Sequence, residues 1–402
     1  MKSWNWKILT EQHSPFFIYD LIELEQNLND LKKQLNRIFP NNRLNFSLKS
    51  NPNLQVVEFF KTNLDGFDLS SFAELEFAQE KGIAAETISL SGPGKTDGCL
   101  SLALKMNIKV VQIDSLEELD FILESPVYKT SKTQLSLRLQ TPDVFSEKLG
   151  LSDEVLNQVF TKMTGNLKPL LGLHAYLGRE NFTSERAALI ISKMDFILGK
   201  YPQLFQSPST LFLGPGISAG QDLSKINMIE VKHPICLEIG RALIGPIGYY
   251  GVPVLSVKQT DTGADLVIID GGLQHLGSPL VTMGQSLNST KSFMVRNGQV
   301  IEATENKEVL LGGSLCLWHD ILHPRLSVPK DIQAGDYLVF ENMGSYGLTA
   351  GVPHFIGERL AEEWCVDTIS PQGRRITAAK FKSYHESFDF KKVSEFNRTY
   401  GK

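Results

Sequence analysis

Between residues 44 and 241 the chain alternates between short apolar runs that end in Gly, Ser, Asp or Asn and amphipathic segments at helical spacing. The apolar runs are Leu44–Lys49, Gly66–Ser70, Thr87–Gly92, Val110–Ser115, Leu135–Gln140, Leu170–Gly178, Thr210–Gly216 and Ile235–Arg241. Helical patterns fill the gaps at Leu54–Lys61, Phe72–Lys81, Cys99–Met106, Leu116–Leu123, Asp153–Met163 and Thr183–Lys200, with a weaker one at Gln221–Ile229. A further helical pattern, Leu21–Ile38, follows the apolar run Phe16–Tyr19. Periodicity that switches between two and 3.6 residues, repeated eight times, predicts a parallel sheet built by helical crossovers. Eight such units in roughly two hundred residues predict a (β/α)8 barrel. A doubly wound open sheet is the structural alternative, because strand count alone does not prove closure.

The rhythm stops after Ile244-Gly245-Pro246. Val252–Lys258, Asp265–Asp270, Ser292–Val295, Val309–Gly312 and Tyr337–Glu341 read as short strands joined by Gly, Asn and Asp turns. Two domains are expected: a barrel over residues 18–246, and a β-sandwich or β-barrel domain formed by 1–17 with 247–402. A chain of 402 residues is long enough for both.

Composition excludes several classes. A net charge of -5 with no basic cluster argues against nucleic acid as a partner. The four cysteines, Cys99, Cys236, Cys316 and Cys365, are widely spaced without a CxxC pair, which argues against a metal site or a disulfide framework and fits a reducing cytosol. Met1-Lys2-Ser3-Trp4-Asn5-Trp6 lacks the apolar core of a secretory leader, and no apolar run is long enough to cross a membrane. A cytoplasmic protein with no membrane partner is expected.

In a (β/α)8 barrel, chemistry gathers at the C-terminal ends of the strands. Those ends here carry Lys49, Asp68 with Ser70, Gly92-Pro93-Gly94-Lys95, Asp114, His174 with Tyr176, Gly214-Pro215-Gly216, and Glu238 with Gly240-Arg241. Each alone has a bland reading: a snorkelling lysine, a turn, a solvated charge. Together they suit pyridoxal phosphate. A lysine amine holds an aldehyde as a Schiff base. Gly-rich turns offer backbone N–H groups to phosphate, and an arginine adds a charge-assisted contact. A carboxylate against the pyridine nitrogen keeps it protonated, and an aromatic ring packs on the cofactor face.

From Pro15 to about Gly357 the chain resembles the fold-type III pyridoxal-phosphate decarboxylases, the group of diaminopimelate, ornithine and arginine decarboxylases, whose barrel is shared with alanine racemase. Phe46-Ser-Leu-Lys-Ser-Asn is similar to the family's Y-x-x-K-A-N, which implies that Lys49 holds the cofactor. Phe67-Asp-Leu-Ser-Ser-Phe-Ala-Glu-Leu is similar to D-x-x-S-x-x-E-L and places Asp68 at the cofactor. Ser91-Gly-Pro-Gly-Lys-Thr and Ile113-Asp-Ser-Leu-Glu-Glu-Leu match two further landmarks. Leu213-Gly-Pro-Gly resembles the phosphate-binding G-G-G, implicating Gly214 and Gly216. Glu238-Ile-Gly-Arg resembles E-P-G-R, so Glu238 would face the pyridine nitrogen, with Gly240 and Arg241 near phosphate or a substrate carboxylate. Gly313-Ser-Leu-Cys316 resembles G-P-x-C, and Gly344-Ser-Tyr346 resembles G-A-Y, which would bring Tyr346 to the phosphate region. The resemblance also implies a homodimer with shared sites, in which Cys316 of one copy protonates the substrate carbon in the other.

The departures bear on substrate. Tyr176 stands where the family usually has a second histidine, Arg179 where many relatives have serine, and Pro215 where the middle glycine would give an N–H. Relatives that act on diamino acids place Glu or Asp after the cysteine; here the run is Leu317-Trp318-His319. A distal ammonium brought against Leu317 finds no charge there. His174, Arg179, Leu317, Trp318, His319 and His354 are the candidate substrate contacts. The pattern resembles the subgroup that includes the butirosin-pathway decarboxylase of carrier-bound glutamate and the decarboxylases of siderophore precursors. Decarboxylation of an amino acid or an amino-acid conjugate, small or carrier-bound, is expected. The alternatives are a diaminopimelate or other basic amino-acid decarboxylase, an amino-acid racemase, and an inactive binding relative.

Overall fold

The computed structural model of the chain describes residues 4–141, 148–165, 168–178, 182–261, 263–277, 290–352, 355–357 and 360–367, with the backbone of 370–376. The described residues fall into two compact units. One runs to Asn29 and resumes at Arg241; the other is Asp30–Gly240.

The first strand, β1 (Phe16–Asp20), belongs to the two-segment unit. The next eight are β2 (Arg43–Ser47), β3 (Gly66–Leu69), β4 (Ile88–Leu90), β5 (Val110–Ile113), β6 (Gln134–Arg138), β7 (Leu170–Tyr176), β8 (Phe205–Gly214) and β9 (Ile235–Ile239). They pair in parallel in chain order and close when β9 meets β2, with Asn45 opposite Glu238. The expected (β/α)8 barrel is therefore the fold, and the open-sheet alternative is excluded. Val110, Leu171, Phe212 and Cys236 form a cluster in its core. Toward the C-terminal ends buried polar groups take over: Asp68, Asp114, Arg138, His174 and Glu238.

The helices begin where short polar side chains stop the strands. Ser71, Thr96, Ser115, Ser152 and Thr183 each accept from a backbone N–H three residues on, capping the helices Phe72–Glu80, Asp97–Met106, Leu116–Glu124, Asp153–Met163 and Ser184–Lys200. Each cap is worth ~1 kcal/mol. The expected helix at Gln221–Ile229 does not form. Its carbonyls are taken by another group: the Arg37 guanidinium donates to Leu223 O at 2.5 Å and Ile226 O at 2.7 Å. The Asp222 side chain also accepts from Ser224 N–H at 2.9 Å, a local turn that competes with a helix.

The other unit is a ten-stranded mixed sheet. It adds β10 (Gly248–Gln259), β11 (Asp265–Ile269), β12 (Ser292–Arg296), β13 (Gln299–Ile301), β14 (Asn306–Gly312), β15 (Ile321–Pro329), β16 (Tyr337–Phe340), β17 (Glu362–Asp367) and β18 (Ser370–Ile376). The main path is β13-β12-β16-β10-β1-β17-β18, while β11, β14 and β15 branch from β10. All five β1 residues are buried, between antiparallel β10 and parallel β17. Gly251, opposite Phe16, has no room for a Cβ because the Phe16 ring lies over it.

Candidate active site

Lys49 lies just past the end of β2, in the single 3₁₀ turn Leu48–Ser50. The turn is locked from both sides: Ser50 Oγ donates to Ser47 O at 2.7 Å, and Asn51 N–H donates to Leu48 O at 3.0 Å. The side chain is 41% exposed, so its amine is open to solvent, yet Nζ lies 3.0 Å from Asp68 Oδ2. Lys49 also donates to Ser70 Oγ at 3.2 Å. Asp68 is almost wholly buried and accepts from Ser47 Oγ at 3.2 Å and Ser91 Oγ at 2.7 Å. Burial pushes its carboxyl up, but the Lys49 ammonium and the Ser91 hydroxyl more than offset this and hold it below the usual carboxylate range.

Glu74 is a second acid beside this pair. It closes a reciprocal cap, in which Ser70 N–H donates to Glu74 Oε2 and Glu74 N–H donates to Ser71 Oγ at 3.2 Å. Burial pushes the Glu74 carboxyl up to about 7; the Lys49 charge and the Ser70 N–H oppose this and the nearby Asp68 carboxylate adds to it.

His174 of β7 and Glu238 of β9 are both buried, and His174 Nε2 lies 2.9 Å from Glu238 Oε2. His174, expected among the substrate contacts, thus stands against Glu238. The second carboxylate oxygen, Oε1, is buried with no hydrogen-bond partner among the described residues. A buried carboxylate oxygen lacking a donor carries a large desolvation cost unless a donor is brought to it. A protonated pyridine nitrogen is such a donor, so the residues present fit pyridoxal phosphate.

The loop after β9 closes on the Lys49 turn. A Cβ on Gly240 would lie 2.8 Å from Ser50 Cβ, so only glycine permits that approach. Tyr176 ends β7 with its ring over the last residue of β8; a Cβ on Gly214 would meet Tyr176 Cδ2 at 2.8 Å. Gly216 adopts φ +70°. Lys49, Asp68, Tyr176, Gly214, Gly216, Glu238 and Gly240 therefore all stand at the C-terminal ends of barrel strands or in the loops just beyond.

Two of the sequence landmarks meet in a buried charge quartet at the same end. Lys95 Nζ lies 3.1 Å from both Asp114 Oδ2 and Glu118 Oε2, and Arg138 Nη1 lies 3.3 Å from Asp114 Oδ1. Lys95 also donates to Gly92 O, and Gly150 N–H donates to Asp114 Oδ1 at 2.9 Å.

In the two-segment unit, the Arg241 guanidinium sits 4.5 Å from the Tyr346 ring centroid. Tyr346 is buried and held at φ +56°, a left-handed conformation costly for an aromatic residue. Cys316 is exposed, unlike buried Cys99, Cys236 and Cys365. Trp318 is 91% exposed, His319 is exposed and Leu317 is half-buried. Arg179 and His354 lie outside the described residues. Glu74, Ser91 and Asp320, the buried acid that follows His319, were not expected as site residues. Glu74 and Ser91 sit inside matched motifs, but no periodicity or spacing marks a buried acid among polar neighbours.

Residues 22–153 match the family described as pyridoxal-dependent decarboxylase, pyridoxal binding domain. The chain is 25% identical over 381 residues to an L-glutamyl-[BtrI acyl-carrier protein] decarboxylase of Niallia circulans, covering 86% of each chain. It is 25% identical over 371 residues to the 2-[(L-alanin-3-ylcarbamoyl)methyl]-2-hydroxybutanedioate decarboxylase of Staphylococcus aureus, covering 82% of this chain and 88% of that one. Its fold superposes on the lysine/ornithine decarboxylase of Vibrio vulnificus with a TM-score of 0.75 at 20% identity, covering 90% of this chain and 97% of the other.

Proposed function

We propose, from the premise that this chain is a fold-type III pyridoxal-dependent decarboxylase, that it removes the α-carboxylate of an amino-acid conjugate, carrier-bound or small, as carbon dioxide and leaves the amine. The observation that carries the reading is the buried Glu238 carboxylate, with one oxygen fixed by His174 and the other without a partner among the described residues, on the strand that pairs with the one leading into Lys49.

Pyridoxal phosphate supplies, when bound, an electron sink for the pair released as the carbon–carboxylate bond breaks. Lys49 would hold the cofactor through its amine. Asp68 keeps the Lys49 amine in position. Glu238 would accept from the pyridine N–H, and His174 fixes its carboxylate. Gly214, Gly216 and Gly240 would offer backbone N–H groups to the phosphate and Arg241 a charge-assisted contact, with the Tyr346 ring against the arginine. Tyr176 would pack on the cofactor face. The α-carbon takes one proton in place of the carboxylate, and Cys316 from a second copy donates it. The working form is thus a homodimer with shared sites, and the compartment is the cytoplasm. Among the described residues no helix is long and apolar enough to cross a membrane.

The substrate class rests on Leu317, Trp318 and His319. No carboxylate in this run pairs with a distal ammonium, and the first acid beyond it, Asp320, is buried with both oxygens occupied by backbone N–H groups. The two relatives named above act on a carrier-bound glutamyl group and on an amide conjugate of a tricarboxylic acid. Glu238 speaks against the racemase alternative, whose family places arginine at the pyridine nitrogen. The test is carbon dioxide release from free diaminopimelate, lysine, ornithine and arginine beside glutamyl-carrier and citrate-conjugated amino acids. Release from the conjugates alone is expected. Strong release from a free diamino acid overturns the substrate class.

A further inference from the structure

Packing does not hold the loop Ser314–His319 at its tip, where Cys316, Trp318 and His319 are exposed. The base holds it, and the base is built on Asp320. This carboxylate is 2% exposed and reaches two separate segments. Oδ2 accepts from Leu315 N–H at 2.9 Å, within the loop, and Oδ1 accepts from Leu273 N–H at 2.9 Å, in the turn after β11. The Asp320 main chain closes the ring: its N–H donates to Leu317 O at 3.0 Å, and its O accepts from Gly313 N–H at 2.8 Å. Ser314 completes the join, its N–H donating to Gly271 O at 2.8 Å and its Oγ accepting from Gln274 Nε2 at 2.9 Å. A Cβ at Gly272 would lie 2.6 Å from either Asp320 carboxylate oxygen, and one at Gly313 would overlap the carboxylate. Two glycine-bearing runs, Asp270-Gly271-Gly272 and Gly312-Gly313-Ser314, thus fold around one buried acid.

We propose that Asp320 is the positioning residue for Cys316: its carboxylate clamps the loop to the turn at Leu273 and thereby sets where the thiol and the Leu317-Trp318-His319 run stand. The catalytic part of this inference rests on the reading of Cys316 as the proton donor. A carboxylate is the group the site requires, because two backbone donors converge on it and only two acceptor oxygens satisfy both. Asparagine offers one oxygen and turns an NH₂ toward the other N–H, which is then buried without an acceptor.

The experiment uses the full-length holoenzyme with Asp320→Asn, Cys316→Ala and the double variant, assayed on whichever panel substrate is turned over, with amide hydrogen exchange alongside. Asp320→Asn is expected to speed exchange at Leu315 and Leu273 by about tenfold or more while β14 and β16 keep their protection. It is expected to lower kcat by about tenfold, and by less than about twofold in the Cys316→Ala background, as residues acting through one another do. Loss of protection across the whole sheet would signal misfolding; Asp320→Ser, smaller and still able to accept, is then measured by the same exchange at Leu315. Unchanged exchange at Leu315 overturns the clamp. An equal loss of kcat in both backgrounds overturns the link to Cys316. Full turnover by Cys316→Ala overturns the proton-donor reading itself, while the exchange data still decide the clamp.

Discussion

A carboxyl buried away from water holds its proton more tightly than a free glutamate, because burial penalises the charged form. Glu74 is in that position. Its ordinary value of 4.5 rises to about 7 in the folded chain. A raised value means the folded state binds the proton that the unfolded state has lost. The associated stability is fully present below 4.5 and is gone once pH has risen through about 7. Replacing Glu74 with Gln keeps an oxygen for Ser70 N–H and removes the titration. Melting temperature measured against pH should therefore fall for the wild type across this interval and stay flatter for the variant. Glu238 gives a catalytic counterpart. Changing it to Gln keeps the shape but removes the charge that a pyridine N–H would meet. A fall in kcat of about a hundredfold is expected, with cofactor absorbance retained. Steady-state kinetics at saturating substrate checks this, and an unchanged kcat would rule out the proposed role of Glu238.

The quartet of Lys95, Asp114, Glu118 and Arg138 shows how strand ends are tied to one another. Lys95 follows β4, Asp114 follows β5 and Arg138 ends β6, so three consecutive strand ends share one buried, charge-balanced knot. Asp114 sits below the usual carboxylate range because Lys95 and Arg138 offset the cost of its burial, whereas burial leaves Glu118 raised. Lys95→Met fills similar space but leaves two buried acids facing one arginine. A loss of about 3–5 kcal/mol is expected, read as a lower denaturant midpoint. Much at this scale was legible in the sequence. The eight barrel strands were expected from runs that overlap β2 to β9, because central parallel strands are buried on both faces and read as continuous apolar runs. Edge elements were less legible. Ile321–Pro329 pairs only with β14, contains Pro324 and is largely exposed, so it lacks the pattern that betrays a strand. The same holds for the site. Lys49, Asp68 and Glu238 stand at strand ends where alternation predicts them. The His174–Glu238 bond and the Asp320 clamp depend on which side chains meet across strands and loops, and spacing along the chain does not encode that.

For the whole molecule, the shared-site proposal makes the association state part of catalysis. Lys49→Ala alone should abolish turnover, and Cys316→Ala alone should lower it sharply. Mixed and allowed to exchange subunits, the two preparations should regain activity beyond the residual turnover of Cys316→Ala, because one site in a mixed dimer carries both intact residues. Activity measured against mixing ratio decides this, and no recovery after demonstrated exchange would place both residues in one copy. The sheet of the two-segment unit has a consequence of another kind, for synthesis. Its central strand β1 is made before either strand it pairs with, and Tyr19 finds its hydrogen-bond partner Glu363 only 344 residues later. Until β10 is made Phe16-Phe17-Ile18-Tyr19 has neither neighbour, one edge stays open until β17 follows, and a bare apolar strand with open edges is a template for unwanted pairing. The barrel strands, each beside the next in sequence, can close while the chain is still emerging from the ribosome. β1 must wait for its partners, and its waiting time is set by the speed of translation, so slow or stalled ribosomes should penalise this protein through Phe16–Asp20.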